Sequence, residues 1–148
     1  MARQVSASAT QAVFSDNAYA SNCQAIIVAL NDLGGIILDR TVFFPTGGGQ
    51  PGDSGVLRSN DGHSVEIATA VKGRSEDGGP DIIVHVPVEG QTALEPGTAV
   101  TAQIDWERRY RLMRVHTCLH LLSAVINYPV TGGQVSDGKG RLDFAIPE

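Results

Sequence analysis

The stretch Asp105-Trp-Glu-Arg-Arg-Tyr-Arg-Leu-Met-Arg114 runs directly into Val115-His-Thr-Cys-Leu-His120 and decides the fold, because the sequence pattern becomes helical there. Apolar residues then recur at steps of three and four, which is the pattern of a helix with one buried side; they are Leu112, Val115, Leu119, Leu122 and Ile126. Asp105 is the predicted N-cap, since a carboxylate accepts hydrogen bonds from the free amides of a first turn. Tyr128-Pro129 is the predicted end, because proline disfavours a helical conformation in the residue before it.

Two histidines of this helix, His116 and His120, stand four residues apart. One turn takes about 3.6 residues, so both rings project from the same side with Cβ atoms about 6 Å apart. Two neutral imidazoles held in this way can bind one transition-metal ion, and Zn²⁺ fits best. Cys118 lies about 200° around the axis from each of them, so it cannot share their ion, and we interpret it as a small buried apolar residue.

The residues before the helix are typical of β structure. Six short runs are rich in valine and isoleucine, at residues 23–30, 36–38, 42–44, 64–71, 82–86 and 99–104. Asn31–Gly35 between two of them predicts a hairpin, and residues 72–80 predict a polar loop. Strands at this spacing predict a small closed or sandwiched antiparallel sheet. After the helix, a turn at Thr131–Gly133 and a strand over residues 141–145 complete a predicted α+β fold.

A second motif, Phe43-Phe-Pro-Thr-Gly-Gly-Gly-Gln-Pro-Gly-Asp-Ser-Gly55, contains three consecutive glycines, Gly47, Gly48 and Gly49. Glycine permits backbone conformations closed to other residues and lets free amides approach a ligand, so the loop is a candidate cradle for an oxyanion or a terminal ribose. It lacks the lysine of a phosphate-binding loop and the Gly-x-Gly-x-x-Gly pattern that opens a dinucleotide-binding helix. The alternative interpretation is a wide turn between strands.

Charge is unevenly distributed along the 148 residues. The net charge of −5 argues against a protein coated with basic surface for nucleic acid. Residues 105–114 nevertheless hold four arginines, Arg108, Arg109, Arg111 and Arg114, against two carboxylates, a local balance of +2. Guanidinium groups bind phosphate oxygens in pairs, so this cluster is a candidate contact with a phosphate backbone. The alternative is a solvated helix face with pairs such as Glu107 with Arg111.

Composition sets further bounds. The apolar fraction of 42% supports a core in one domain or two small ones. The sequence has no apolar run long enough for a membrane span and no apolar stretch of a signal peptide at its start, so we predict a soluble, cytoplasmic protein without membrane contact. Two distant cysteines, Cys23 and Cys118, indicate no disulfide framework.

Taken in order, these motifs resemble a known family. The glycine-rich loop, the Trp-x-x-Arg and His-x-x-x-His helix, Gly132-Gly-Gln-Val135 and Arg141-Leu-Asp-Phe144 are similar to the editing part of alanyl-tRNA synthetase and to its free-standing, medium-length AlaX-type relatives. The resemblance implies an ATP-independent carboxylic ester hydrolase that removes the amino acid from mischarged alanine tRNA, Ser-tRNA(Ala) or Gly-tRNA(Ala), in trans. It also implies a translation-factor-like antiparallel β-barrel over residues 1–104, followed by the first helix and strand of an α/β editing domain over residues 105–148.

In such a family the histidine pair would bind zinc. His116 and His120 match the first two ligands, whereas the second pair, a Cys-x-x-x-His further along the chain, has no counterpart in this sequence. Two of the expected four ligands predict weak or absent zinc binding by this chain.

The resemblance also makes other residues candidates for the substrate site. Thr46 and Gln50, with the amides of the glycine-rich loop, are candidates for binding the terminal adenosine or the carbonyl oxyanion. Thr117 and Gln134 are candidates for a hydrogen bond to the extra hydroxyl of serine, and Gly133 stands where family members often have serine. The arginine cluster is the candidate contact with the acceptor end of tRNA(Ala).

Alternatives remain open at this point. One is a non-catalytic tRNA-binding or protein-interaction module that lacks the second ligand pair. Another rests on Gly48-Gly-Gln50, a tripeptide that peptide-release factors use and that Gly132-Gly-Gln134 repeats. The apolar helix needs a cover, which is the β-rich part, the partner in a homodimer, or a missing C-terminal segment. Trp106 is interpreted as a packing anchor, and Arg141 with Asp143 as a structural pair or as part of the pocket.

Overall fold

The computed structural model describes residues 9–74, 81–92 and 94–148 and shows an α+β protein built mostly of strands, as the sequence predicts. The chain forms two compact units. The first unit holds β1 Gln11–Ala12, α1 Val13–Asp16, β2 Asn22–Leu30, β3 Ile36–Leu38, β4 Arg40–Thr41, β5 Gly55–Ser59, β6 Ser64–Arg74, β7 Asp81–Pro87 and β8 Ala99–Ile104. The second unit holds α2 Trp106–Val125, β9 Val130–Ser136 and β10 Lys139–Phe144, together with the segment Gly47–Pro51.

The first unit is organised around antiparallel pairing. Strands β2, β3, β7, β6, β5 and β8 pair in that order and β8 pairs with β2, which closes the barrel. Alternate residues of β2 point inward, so Ala25, Ile27 and Ala29 are buried while their neighbours are exposed. The predicted hairpin at Asn31–Gly35 is confirmed, since Leu30 pairs with Ile36 across it.

Three predictions about the strands and loops of this unit need correction. Residues 42–44 are not a strand, because the amide of Phe43 donates to Thr41 Oγ1 and that of Phe44 donates to Asp53 Oδ2. Side-chain acceptors thus replace the ladder partners that a strand needs. Strand β5 was not predicted, because its apolar residues are few. Residues 72–74 belong to β6, where they pair with residues 81–83 of β7, and residues 75–80 of the predicted loop lie outside the described residues.

The barrel encloses the imidazole of His85, which is 0% exposed. Its Nδ1 donates to Ile36 O at 2.8 Å, and its Nε2 accepts from the hydroxyl of Thr41 at 2.7 Å. Phe43 packs edge-on against the ring with centroids 5.0 Å apart. Burial lowers the pKa of His85 to about 4, because a charged ring would lose its hydration there. The ring is therefore a neutral part of the core.

The second unit packs helix α2 against the hairpin of β9 and β10. The helix begins at Trp106, directly after the predicted cap Asp105, and ends at Val125, earlier than the predicted end at Tyr128. The predicted turn at Thr131–Gly133 is wrong, since Gly132 and Gly133 lie in β9 and pair with Asp143 and Leu142. The strand predicted over residues 141–145 is observed as β10.

Helix α2 buries only part of its predicted apolar stripe. Leu112 is buried, and Val115 and Leu119 pack so closely on Gly140 that a Cβ there would overlap them. Leu122 is exposed, and the interpretation of Cys118 as a buried residue is wrong, because its side chain is exposed. Among the described residues, no helix is long and apolar enough to cross a membrane.

Candidate functional site

Helix α2 presents its two histidines together, as their spacing predicts. The rings of His116 and His120 stack with centroids 4.9 Å apart and an interplanar angle of 20°. Their positions, four residues apart on one helix, bring both rings to the same side of α2. The second unit therefore offers two imidazoles from one surface.

Gln50 is the partner of His116. Its Oε1 lies 2.9 Å from Nδ1 of the ring, and its side chain is only 6% exposed. An amide oxygen can only accept, so Nδ1 carries the proton and Nε2 keeps its lone pair. The pKa of His116 is lowered, first by partial burial and then by the neighbouring charge of His120, which further favours a neutral ring.

A tight turn brings Gln50 to this ring. Gly47 and Gln50 exchange both backbone hydrogen bonds, at 3.1 and 3.0 Å, and the residues between them have positive φ, 57° at Gly48 and 81° at Gly49. Positive φ at both central residues is the pattern of a type I′ hairpin turn, which strongly favours glycine. The glycine-rich loop is thus a two-residue hairpin.

The glycine hairpin packs against strand β9. Gly49 O accepts from Val135 N at 2.6 Å, and a Cβ at Gly49 would lie 3.1 Å from Gly133 O, closer than an ordinary contact. Glycine is therefore needed at Gly49 for space as well as for conformation, whereas a Cβ at Gly48 would meet nothing within 4 Å. The contact with β9 explains why the hairpin belongs to the second unit and not to the first, where the predicted boundary at residue 104 had put it.

The hairpin, α2 and β9 surround a cleft of about 480 Å³. The helix contributes His116, Leu119, His120 and Ser123, and the hairpin contributes Gly48 and Gly49. The strands contribute residues 130–135 and Leu142. In the part of the chain that the structure describes, the amides of Gly48 and Gly49 make no hydrogen bond within the protein. The cleft thus combines an apolar lining with two imidazoles and two free backbone donors.

Of the other predicted site residues, one lines the cleft and two do not. Gln134 lines the cleft from β9, and its side chain is exposed. Thr117 is exposed on α2 and is not among the residues that line the cleft. Thr46 lies in the first unit, where its hydroxyl accepts from Gly52 N at 2.9 Å and faces Ala70 O at 3.3 Å. The Thr46 hydroxyl therefore holds the base of its own loop, and its catalytic role stays a prediction.

The four arginines also differ from one another. Arg109 is only 2% exposed, so little of its guanidinium is available to a phosphate, and its role as a phosphate contact stays a prediction. Arg111 is exposed and binds Asp137 with Nε at 2.7 Å and Nη2 at 3.0 Å, which lowers the pKa of that carboxyl. Arg111 thus pairs with a residue of the β9–β10 turn, a partner that the sequence does not predict.

The other residues of interest in the first half of α2 are Arg108, Arg114 and Trp106. Arg114 is exposed and lies over the ring of Tyr110, 5.8 Å from its centroid, and Arg108 is half-buried. Trp106 stacks on Tyr110 at 6.1 Å, which supports its interpretation as a packing residue. Arg141 pairs with Asp143 at 3.3 Å, so the interpretation as a structural pair holds.

The sequence does not predict some of the residues that line the cleft. Ser123 follows His120 by three residues, so helical spacing could have placed it on the same side. Its hydroxyl donates to His120 O at 2.7 Å. Thr131 was assigned to a turn, and only its place in β9 brings it to the cleft. Nothing in the local sequence marks Leu142 as a cleft residue.

The donor set for a metal is incomplete within the described residues, where no three His, Cys, Asp or Glu side chains converge. The pair His116 and His120 supplies two imidazoles, and the lone pair left on His116 Nε2 suits a metal. These residues fit half of a tetrahedral zinc site, which takes four protein ligands, or part of a catalytic one, which takes three.

Comparison with known proteins identifies the class to which this chain belongs. Residues 4–108 match the family described as tRNA synthetases class II (A). Because the match covers more than half of the chain, the protein belongs to the class II (A) tRNA synthetase family.

Individual relatives narrow this class. The alanyl-tRNA editing protein AlaX-M of Pyrococcus horikoshii is 36% identical over 146 residues, which are 94% of this chain and 62% of that protein. AlaX-M of Methanosarcina acetivorans is 36% identical over 146 residues, 93% of this chain and 57% of that protein. The alanine–tRNA ligase of Aeropyrum pernix is 38% identical over 141 residues, 91% of this chain and 15% of the ligase. The resemblance to AlaX-type editing proteins is thus confirmed, and the chain spans less than two thirds of the length of these editing relatives.

Proposed function

We propose that this chain carries part of the site of a trans-editing deacylase that hydrolyses mischarged alanine tRNA. The observation that carries the proposal is the cleft in which the histidine pair faces the glycine hairpin. The names of the relatives, alanyl-tRNA editing proteins, support the same substrate class. In this proposal the first unit is the translation-factor-like barrel, and the second unit is the first part of the editing domain.

The cleft has groups suited to an ester between a small amino acid and a terminal ribose. Hydrolysis needs a water and stabilisation of the negative charge that develops on the carbonyl oxygen. The free amides of Gly48 and Gly49 are donors for that charge or for the ribose. Gln134 and Thr131 are candidates for a hydrogen bond to the extra hydroxyl of serine, because an apolar pocket alone discriminates poorly against an added hydroxyl.

Zinc forms part of the proposal. His116 and His120 would supply two of the ligands of the ion through ring nitrogens. When bound, zinc would supply an activated water or an anchor for the amino group of the substrate. The role of Gln50 is then to hold His116, and the roles of the glycine amides and Gln134 are to orient the ester.

One arginine of the cluster is the proposed contact with the tRNA acceptor end. Arg114 is exposed and Arg108 is half-buried on the first half of α2. Arg111 is engaged by Asp137, and Arg109 is buried. We therefore assign phosphate binding to Arg114, which is exposed and lies outside this ion pair, and not to the whole cluster. The protein would act in the cytoplasm, where aminoacyl-tRNA is used.

Deacylation of Ser-tRNA(Ala) and Gly-tRNA(Ala) tests this function. The assay is run on this chain, and on any longer product of the same reading frame, with added Zn²⁺ and with a chelator. We expect zinc-dependent hydrolysis that His116→Ala and His120→Ala each reduce at least ~100-fold, the upper end of the loss expected from disturbing a metal site. His63→Ala, which alters an exposed histidine of the barrel, is the matched control and should retain activity. Zinc-independent hydrolysis, or none by either protein, would refute the proposal.

A second function, a non-catalytic tRNA-binding module, is favoured by one observation. The described residues supply only two metal donors. This function predicts that the chain binds an acceptor-stem minihelix of tRNA(Ala), that Arg114→Ala weakens this binding, and that no ester is cleaved. Fluorescence anisotropy with an uncharged minihelix, beside the deacylation assay, separates the two functions.

A further inference from the structure

We infer that Gln50 is a positioning residue that locks His116 in the tautomer with the proton on Nδ1 and the lone pair on Nε2. The contact joins Nδ1 of the ring to Oε1 of the amide at 2.9 Å between residues 66 positions apart in the chain. The tautomer itself follows from this geometry alone. Its use in holding an electrophile in the cleft rests on the proposed function.

The first step is that the Gln50 side chain is held in place. It is nearly buried, and its backbone is fixed by both hydrogen bonds of the Gly47–Gln50 turn and by the bond from Val135 N to Gly49 O. Little conformational freedom remains to be lost when the amide meets the ring, so the hydrogen bond can set the tautomer effectively.

The second step concerns the ring. A neutral imidazole in water exchanges between two tautomers, and an acceptor at one nitrogen selects the form that is protonated there. The oxygen at Nδ1 therefore directs the lone pair to Nε2. Because His116 lines the cleft and its Nδ1 side is taken by Gln50, the basic nitrogen is the one left for the cleft. Histidines that bind metals are oriented by partners in the same way.

The third step is the comparison that the chain itself offers. Gly132-Gly-Gln134 repeats the tripeptide and also lines the cleft, but Gln134 is exposed, and no hydrogen bond joins its side chain to either histidine of the described helix. Its residues are paired in β9 and do not form a turn. Gln134→Leu is therefore a matched control for Gln50→Leu, with the same chemical change at the same cleft.

The experiment is a two-bond ¹H–¹⁵N correlation spectrum of the imidazole rings. It uses the whole metal-free chain labelled with ¹⁵N, about two pH units above the ordinary imidazole pKa of about 6.5. We expect His116 to show an unprotonated Nε2 in the wild-type protein and in Gln134→Leu. In Gln50→Leu its signals should move towards a mixture of tautomers, and Gln50→Glu, which keeps an acceptor oxygen, should restore the wild-type pattern.

Two results would overturn the inference. A wild-type spectrum with the proton on Nε2 would do so without any variant, even if Gln50→Leu failed to fold. An unchanged His116 pattern in a folded Gln50→Leu would do so as well. Neither result depends on hydrolysis: an inactive chain with the expected tautomer contradicts the proposed function alone, and an active chain with the wrong tautomer contradicts only this inference.

Discussion

His85 and His116 begin from the same chemistry and end in different roles. Each ring donates from Nδ1 to a carbonyl-type oxygen, His85 to Ile36 O at 2.8 Å and His116 to Gln50 Oε1 at 2.9 Å. The difference lies at the other nitrogen, which meets the Thr41 hydroxyl in His85 and is left for the cleft in His116. A histidine with both nitrogens satisfied is part of the core, whereas one with a single oriented nitrogen left over is available for chemistry.

The largest expected effect is the removal of the enclosed ring. His85→Ala leaves a cavity in the barrel and deprives Ile36 O and the Thr41 hydroxyl of their partner, so we expect the free energy of unfolding to fall by about 3–4 kcal/mol. Urea unfolding at neutral pH, followed by far-ultraviolet circular dichroism, measures it. His63→Ala is the control, since that side chain is 73% exposed and should change stability by less than ~0.5 kcal/mol. Equal losses in the two variants would contradict the comparison.

The enclosed ring should also make the barrel sensitive to acid. The pKa of His85 is about 4 in the folded protein and 6.5 when unperturbed, so the unfolded chain binds more protons between these values. Stability due to this group is fully present above pH 6.5, is lost as the pH falls towards 4, and changes no further below that, with a total of at most about 3 kcal/mol. Urea unfolding at a series of pH values measures the slope.

A variant isolates the contribution of His85 to this slope. His85→Leu should flatten the dependence between pH 6.5 and 4, apart from the smaller effect of His116, whose pKa is also lowered. The lowered carboxyl pKa values of Asp61 and Asp137 affect stability only as the pH falls through and below their ordinary value of 3.8. A full slope in His85→Leu would show that another group carries the acid sensitivity.

The position of His116 depends on the glycine hairpin, because Gln50 of that hairpin contacts the ring. The next-largest effect on stability is therefore expected at the hairpin glycines. We expect Gly49→Ala to destabilise the second unit by about 2 kcal/mol, because positive φ and the contact with Gly133 O both oppose a side chain. Gly48→Ala meets only the conformational cost, about 1 kcal/mol. Trp106 is the only tryptophan and lies in the second unit, so its fluorescence during urea unfolding reports this difference. The reverse order would mean that contact with β9 does not hold the hairpin.

The smallest effect concerns the surface pair that joins α2 to the β9–β10 turn. Arg111→Ala removes a two-bonded but half-exposed ion pair with Asp137, and we expect a loss of about 0.5–1 kcal/mol that diminishes in high salt. Arg114→Ala, which removes the next arginine along the same helix, is the control and should lower the free energy of unfolding by less. The same fluorescence measurement at low and high salt checks it, and a loss that does not change with salt would exclude the ion pair as its cause.

Local chemistry predicts much of this fold. The strands Ile36–Leu38 and Ala99–Ile104 are observed with the predicted bounds, and helix α2 starts directly after its predicted cap, Asp105. Periodicity also places the two imidazoles side by side, because both residues share one helix. These features depend on residues a few positions apart, and their patterns are visible in the sequence.

The wrong and missing predictions depend on contacts that hydrophobic periodicity does not reveal. Residues 42–44 have a strand-like composition, but the carboxylate of Asp53 and the hydroxyl of Thr41 take their amides. Cys118 is apolar in character and still lies exposed. The role of Gln50 could not be predicted either, because no spacing rule relates it to a ring 66 positions away. Two of these three details are decided by side-chain hydrogen bonds, which are local at residues 43–44 and of long range at Gln50.

The bond between Gly49 and Val135 has a consequence for the newborn chain. Synthesis delivers the hairpin before α2 and β9, so all the strands of the barrel leave the ribosome before the histidine that Gln50 contacts. Joining segments so distant is slow, because a long loop must close before any contact stabilises it. The cleft therefore cannot assemble until β9 has been synthesised, long after the hairpin that it contacts.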